Sequence, residues 1–240
     1  MTDLGRLTSP AAGACAASGA VLAIPLGATE QHGAHLPLST DTDIASALCV
    51  RLAQVREVVV APAIPYGSSG EHEGFPGTLS IGQAALEQVI VELCRSATGT
   101  FSRVLLVSGH GGNAEPLARA VSLLQFEGRE VLAWAPSWVG EPHAGRPETA
   151  MQLALDVDLD MSLAEAGDGR PLAEVLPLLR LGGVRAVSPN GVLGDPRGAS
   201  RAEGLALLDR LTDDLVNSFD REWSYGAASG RDLATTGADK

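Results

Sequence analysis

Between Gly27 and Asp41 the chain reads Gly-Ala-Thr-Glu-Gln-His-Gly-Ala-His-Leu-Pro-Leu-Ser-Thr-Asp, and this stretch constrains the fold more than any other. It follows Val21-Leu22-Ala23-Ile24-Pro25-Leu26, a short apolar run of the kind that forms a buried strand. Glu30, His32, His35 and Asp41 then crowd into one segment that Gly27, Gly33 and Pro37 keep from being helix or strand. Such a loop has little apolar surface to pack, so its polar groups need another reason to converge. Glu, His and Asp are ligand types of Zn²⁺, Mn²⁺ and Fe²⁺, and a bound metal supplies that reason. A polar surface turn with a capping Asp is the plainer alternative.

The rest of the chain alternates strands with helices. Val58–Ile64 reads as a second strand with Pro62 and Pro65 at its exit, and a Gly/Ser-rich loop from Tyr66 to Thr78 follows, carrying Glu71 and His72. Val104–Val107 forms a third strand ending at Ser108-Gly109-His110-Gly111-Gly112-Asn113, and Val131–Ala135 a fourth. Apolar spacing predicts helices over Thr42–Val55, Gln83–Ala97, Ala114–Glu127 and His143–Leu155. Ser200 caps a last helix with Leu205, Leu208, Leu211, Leu215 and Phe219 on one face. Residues 1–20 read as a partly ordered lead-in, Ala164–Pro171 as loop, Leu172–Leu179 as ambiguous and 224–240 as a disordered tail. The expectation is one α/β domain over 21–223, with a mainly parallel sheet covered on both faces. Ligands of such sheets bind beyond the carboxyl ends of the strands, where the three polar loops should meet.

Composition excludes some classes. A formal charge of −12 argues against nucleic acid or an anionic membrane as partner, because either requires a basic face. Cys15, Cys49 and Cys94 are far apart and form no C-x-x-C pair, which suits small buried hydrophobes in a reducing cytoplasm. The small-residue run Pro10–Ala17 lacks the basic leader of a signal peptide, and no apolar stretch of about 20 residues is present to span a bilayer. The reading is a soluble cytoplasmic protein.

His110 and Glu148 join the first loop as candidate ligands. The competing reading of Glu148 is a first-turn carboxylate favoured by the helix dipole, and that of Asn113 is a helix N-cap. His143 precedes Glu148 across a turn that can set both on one cleft wall. Glu30, His32, Asp41, His110 and Glu148 are too many ligands for one catalytic ion, which keeps about three and an open position. They suit two ions bridged by a carboxylate, roughly 3.5–4 Å apart, sharing a hydroxide and polarising a carbonyl. No nucleophile signature such as G-x-S-x-G is present.

Four segments, Glu30-Gln31-His32-Gly33-x-His35-Leu36-Pro37-x-x-Thr40-Asp41, Phe75-Pro76-Gly77-Thr78-Leu79-Ser80, Gly109-His110-Gly111-Gly112-Asn113 and His143-Ala144-Gly145-x-x-Glu148-Thr149, resemble the creatininase family of binuclear amidohydrolases. The resemblance runs from about residue 20 to 223. It implies a layered α/β/α sandwich, a homo-oligomer (commonly a hexamer) and two divalent ions per chain, zinc, iron or manganese. Glu30, Asp41 and His110 would hold one ion and His32, Asp41 and Glu148 the other, with His143 against the substrate. His35 and His72 would stand behind the ligands or in the cleft.

Two departures shift the expected substrate away from creatinine. The creatinine-hydrolysing members carry a proton-transferring Glu two residues after the third ligand His, where this chain has Gly112, and their aromatic clasp has no clear counterpart. His143-Ala-Gly-Arg-Pro-Glu-Thr and Ser188-Pro-Asn-Gly-Val-Leu-Gly-Asp-Pro-Arg-Gly are most similar to the mycofactocin-system branch. That branch implies a peptidase releasing a carboxyl-terminal Val-Tyr-derived dipeptide from a modified precursor. Arg146 is then a candidate partner for a substrate carboxylate. The alternatives are a related amidohydrolase acting on a small cyclic amide or formamide, and a catalytically silent metal-binding scaffold.

Overall fold

Runs that alternate which face they present build the centre of the molecule. The computed structural model describes residues 2–137 and 141–229 (backbone alone from 224), so the expected tail beyond Ser229 lies outside the described residues. Strands β1 (Thr2–Asp3), β2 (Val21–Leu26), β3 (Val58–Val60), β4 (Arg103–Ser108) and β5 (Glu130–Trp134) form one sheet in the order β1-β3-β2-β4-β5. Every pairing is parallel. Strand β2 is buried along its whole length. Leu22, Ile24 and Leu26 face one apolar cluster, and Val21 and Ala23 face the other. Strand β4 repeats the alternation with Val104 and Leu106 against Leu105 and Val107. Double burial of this kind is what a central parallel strand requires.

Helices cover both faces. Helices α1 (Ser9–Ala17), α3 (Gln83–Ala97) and α4 (Ala114–Phe126) close one side through Leu86, Ile90, Cys94, Leu117 and Leu124. Helices α2 (Thr40–Val55), α5 (Arg146–Ala154) and α7 (Arg201–Ser229) close the other through Ile44, Leu48, Cys49, Leu52, Met151, Leu208, Leu211 and Leu215. The result is the expected single-domain α/β/α layered sandwich. Cys49 and Cys94 sit within these two cores as free thiols pushed upward by burial, in keeping with a packing role.

The structure departs from the sequence expectations at four places. The lead-in is ordered, with β1 on the sheet edge and α1 beneath it. The second strand stops at Val60, and Ile64 returns for a single bridge to Leu26. The ambiguous stretch from Leu172 belongs to a longer helix, α6 (Leu172–Val187), interrupted at Gly183. Helix α7 continues to Ser229, past the point where the tail was expected to begin. Among the described residues no helix is long and apolar enough to cross a membrane.

The chain runs from β2 outward to β3 and returns to β4 on the opposite side of β2. The sheet therefore changes direction beside β2, and a crevice opens beyond its carboxyl end. The loops after β2, β3 and β4 enter that crevice. Two glycines let them do so. A Cβ at Gly27 would overlap the Thr42 backbone, and one at Gly109 would overlap the Asp41 carbonyl. The first turn of α2 is thereby drawn against both strand exits.

Candidate metal centre

All five histidines of the chain are buried, and four of them, with four carboxylates, crowd the crevice. Glu30 arrives from the loop after β2 and is fully buried. Its Oε1 lies 3.2 Å from His110 Nδ1, at the exit of β4, and 3.3 Å from His72 Nε2. Asp41 sits in the first turn of α2, where the helix dipole favours an anion. Asp41 Oδ2 is 3.4 Å from His110 Nδ1, and Oδ1 is 3.4 Å from His32 Nε2. Glu148 enters from the first turn of α5, its Oε2 3.9 Å from His32 Nε2 and 2.6 Å from the Ala144 amide that donates to it. Ala144 has φ +52°, a conformation seldom taken outside glycine, which aims that amide back at Glu148.

Potential ligand atoms of Glu30, Asp41 and His110 lie within 4.8 Å of one another, and so do those of His32, Asp41 and Glu148. Asp41 belongs to both groups. Glu30, His32 and His143 form a third such group. Each of the two imidazoles has its far nitrogen held by a backbone carbonyl: His32 Nδ1 donates to the Glu30 carbonyl at 3.1 Å, and His110 Nε2 donates to the Ser68 carbonyl at 3.1 Å. That tautomer leaves the other nitrogen of each ring facing the carboxylates, the arrangement found behind metal-bound histidines.

Several of these atoms have no partner. Both Glu30 oxygens, Asp41 Oδ2 and His32 Nε2 are buried without a hydrogen bond. An unpartnered buried carboxylate is costly, so the orphaned atoms and the N/O donor set fit divalent metal. Without such ions the imidazoles take over part of that duty. Burial disfavours their cations, but Asp41 beside His32 and Glu30 beside His110 raise both to about 10. Burial also works against the Glu30 anion, yet His110, His72 and His32 hold its carboxyl well below the ordinary range. Burial pushes Glu148 up to about 7 and raises Asp41, with His32 opposing both.

The remaining histidines support the cluster. Gln31, which sequence reasoning passes over, donates from its side-chain amide to His72 Nδ1 at 2.9 Å and to the Gly191 carbonyl at 3.1 Å. His72 therefore carries its proton on Nε2, toward Glu30, and burial lowers it to about 4. His143 packs its ring 4.3 Å from those of both His32 and His72, and its Nε2 lies 2.9 Å from the Gln31 carbonyl. His35 Nε2 is 2.9 Å from Thr149 Oγ1 and steadies the first turn of α5. Asn113 makes no capping hydrogen bond. Its amide instead ties loops together, accepting from the Ser68 amide and donating to the Gly27 carbonyl.

Arg146 is the sequence candidate that the fold turns away. Its guanidinium is exposed and held by Glu203 at 2.9 Å, because the first turn of α5 faces α7 at that position. The cavity beside the cluster holds about 410 Å³ and is lined by Glu71, His72, His110 and His143 on one wall. Leu172, Leu176, Leu179 and Arg180 of α6 form the other. Among the described residues Arg180, not Arg146, is the arginine at this opening.

A family model described as creatinine amidohydrolase matches residues 5–219. The chain belongs to the creatininase family. A mycofactocin precursor peptide peptidase of Mycolicibacterium smegmatis is 50% identical over 204 residues, covering 81% of this chain and 80% of that one. Creatinine amidohydrolase of Pseudomonas putida is 28% identical over 242 residues, covering 87% and 92%. A creatininase crystal structure superposes with a TM-score of 0.78 at 27% identity, over 92% of this chain and 98% of that one. Related creatininase structures include forms described as manganese and zinc–zinc. This creatininase-family chain is thus a hydrolase, and its buried Glu, His and Asp clusters suit divalent metal.

Proposed function

We propose that this chain is a binuclear metal-dependent peptidase that releases a carboxyl-terminal Val-Tyr-derived dipeptide from a modified mycofactocin precursor peptide. The observation that carries the hydrolytic half is Asp41 standing in two potential ligand triads whose buried atoms lack partners. The substrate half is supported by the relatives named as precursor peptide peptidases, at 44–50% identity.

In this reading Glu30, Asp41 and His110 hold one ion and His32, Asp41 and Glu148 the other. When bound, the pair supplies a water that ionises near neutral pH and polarises the scissile carbonyl. The protein's own residues do the rest. His72 and His143, kept neutral by burial, line the cavity without adding charge beside the carbonyl. The α6 leucines receive apolar side chains of the chain end, and Arg180 pairs with its carboxylate. No aromatic ring other than histidine lines this cavity among the described residues.

The test is to incubate the metal-loaded protein with the modified peptide and weigh the products. Release of the dipeptide, abolished by chelator and restored by metal, is expected. Two equivalents of metal without turnover on any amide would overturn it.

A further inference from the structure

The binuclear reading leaves one chemical duty without a residue. Amide hydrolysis forms a C–O bond from water and breaks the C–N bond, and one water proton must reach the departing nitrogen. The carrier has to line the cavity, touch the reacting region and be free of the ligand groups. Glu30, Asp41 and Glu148 are all members of those groups. His72 is committed at both nitrogens, to the Gln31 amide and toward Glu30. Glu115 reaches the cavity rim, but its side chain is 72% exposed and lies 3.9 Å from Arg119.

Glu71 lines the same cavity and stands outside those ligand groups. It stands on the 3-10 turn Gly70–His72, with His72 N donating to the Ser69 carbonyl and Glu73 N to the Gly70 carbonyl. Helix α6 closes on the same turn, since a Cβ at Gly183 would crowd the Glu71 carbonyl. The Glu71 side chain is 34% exposed, its Oε1 lies 3.5 Å from His110 Nε2, and it lines the cavity. Gly112 makes the room. A Cβ there would collide with Glu71 Oε1, His110 Nε2 and the Ser68 carbonyl. The space beside the candidate ligand His110 that a side chain at position 112 would claim is filled from another loop by Glu71.

We propose that Glu71 is the proton carrier of the hydrolysis. The assignment rests on the peptidase reading above and deepens it. As the C–O bond forms, the Glu71 carboxylate takes a proton from the attacking water. As the C–N bond breaks, it gives that proton to the leaving nitrogen. Glu71 ends as it began, and the products are a peptide carboxylic acid and an amine, the acid's remaining proton passing on to the amine at neutral pH to give carboxylate and ammonium.

The experiment compares wild type and Glu71→Gln, both metal-loaded, on the modified peptide and on an analogue with an ester at the scissile bond. Glutamine keeps the shape of the side chain, but it cannot carry the proton. The expected result is kcat on the amide lower by about 10²-fold or more. KM, bound metal and melting temperature should stay as in wild type. The defect should shrink at least about tenfold on the ester, whose leaving oxygen needs less protonation. If Glu71→Gln stays within about threefold of wild type, or loses metal and slows on amide and ester alike, Glu71 only positions His110 and the assignment falls. If wild type itself leaves the peptide uncut, the peptidase reading falls and takes the assignment with it.

Discussion

At the scale of single residues, the arrangement turns on which atoms are buried without partners. Asp41 is the one side chain shared by the two groups proposed as ligands, so its loss should empty both positions, whereas loss of Glu148 should empty one. Metal analysis of Asp41→Ala and Glu148→Ala checks this. Near-zero occupancy in the first and about one equivalent in the second is the expected outcome, and equal occupancy would sink the bridging role. Gln31 makes a subtler case. It touches no candidate ligand atom of the two triads directly, but it fixes His72 and borders His143. Residues that orient metal-site histidines typically matter by about 10–100-fold. Gln31→Leu should therefore reduce kcat within that range while the protein still folds and binds metal, read by kinetics alongside metal content. Both residues show how legibility varies. Asp41 and its partners could be proposed from sequence because two imidazoles and two carboxylates, all metal-ligand types, crowd into the one loop Glu30–Asp41. Gln31 is silent in the sequence, since an amide becomes informative only once its hydrogen-bond partners arrive from segments far along the chain. Arg146 fails in the opposite direction. Nearness to Glu148 in sequence suggested the cleft, but neighbouring positions in a helical first turn point different ways, and α7 offered Glu203.

At the scale of elements, periodicity revealed what burial imposes. Helix α3 was legible over Gln83–Ala97 because Leu86, Ile90 and Cys94 form a stripe against the sheet. Helices α1 and α6 were not, for a shared physical reason: a helix that buries little leaves no stripe to read. Helix α1 has no buried residue, and α6 has only Val175 and Val184, with Leu172, Leu176, Leu178 and Leu181 all exposed. Yet α6 supplies one wall of the cavity, so the element hardest to see is the one proposed to choose the substrate. Arg180→Ala should raise KM for the modified peptide and leave kcat and metal content near wild type. A peptide amidated at its carboxyl end should lose the distinction between the two proteins. An unchanged KM would remove Arg180 from recognition. The glycine contacts make a second case at this scale. Gly109→Ala forces its Cβ into the Asp41 carbonyl and must displace the first turn of α2. Overpacking of this sort costs about 1–3 kcal/mol. Denaturant unfolding should show that loss, accompanied by weaker metal retention, because the displaced turn carries Asp41.

At the scale of the whole molecule, the sandwich buries a charge cluster that its apolar layers cannot neutralise. Protons and metal ions then compete for the same site. In the metal-free protein His32 and His110 are raised from 6.5 to about 10, so their contribution to stability is complete below 6.5 and is lost as pH rises toward 10. Glu148, raised from 4.5 to about 7 by burial, acts with the same sign at lower pH, since ionising it in place becomes a cost. His72, lowered from 6.5 to about 4, acts with the opposite sign, and below 6.5 it withdraws stability as pH falls. The metal-free chain should therefore melt at progressively lower temperature from about pH 7 to 10, whereas the loaded chain, with cations in place of the imidazole protons, should lack that decline. Metal at a hundredfold excess over its dissociation constant adds about 2.7 kcal/mol for each site, and a chain of this size shifts by about 2–4 °C for each kcal/mol. Chelation at pH 8 should thus lower the melting temperature by about 10–20 °C if both sites empty. The gap should widen as pH rises, and scanning calorimetry across pH with and without chelator reads both effects together. A gap that stays constant from pH 7 to 10 would mean the imidazoles do not exchange protons for metal, and the paired-ion reading of the crevice would have to be abandoned.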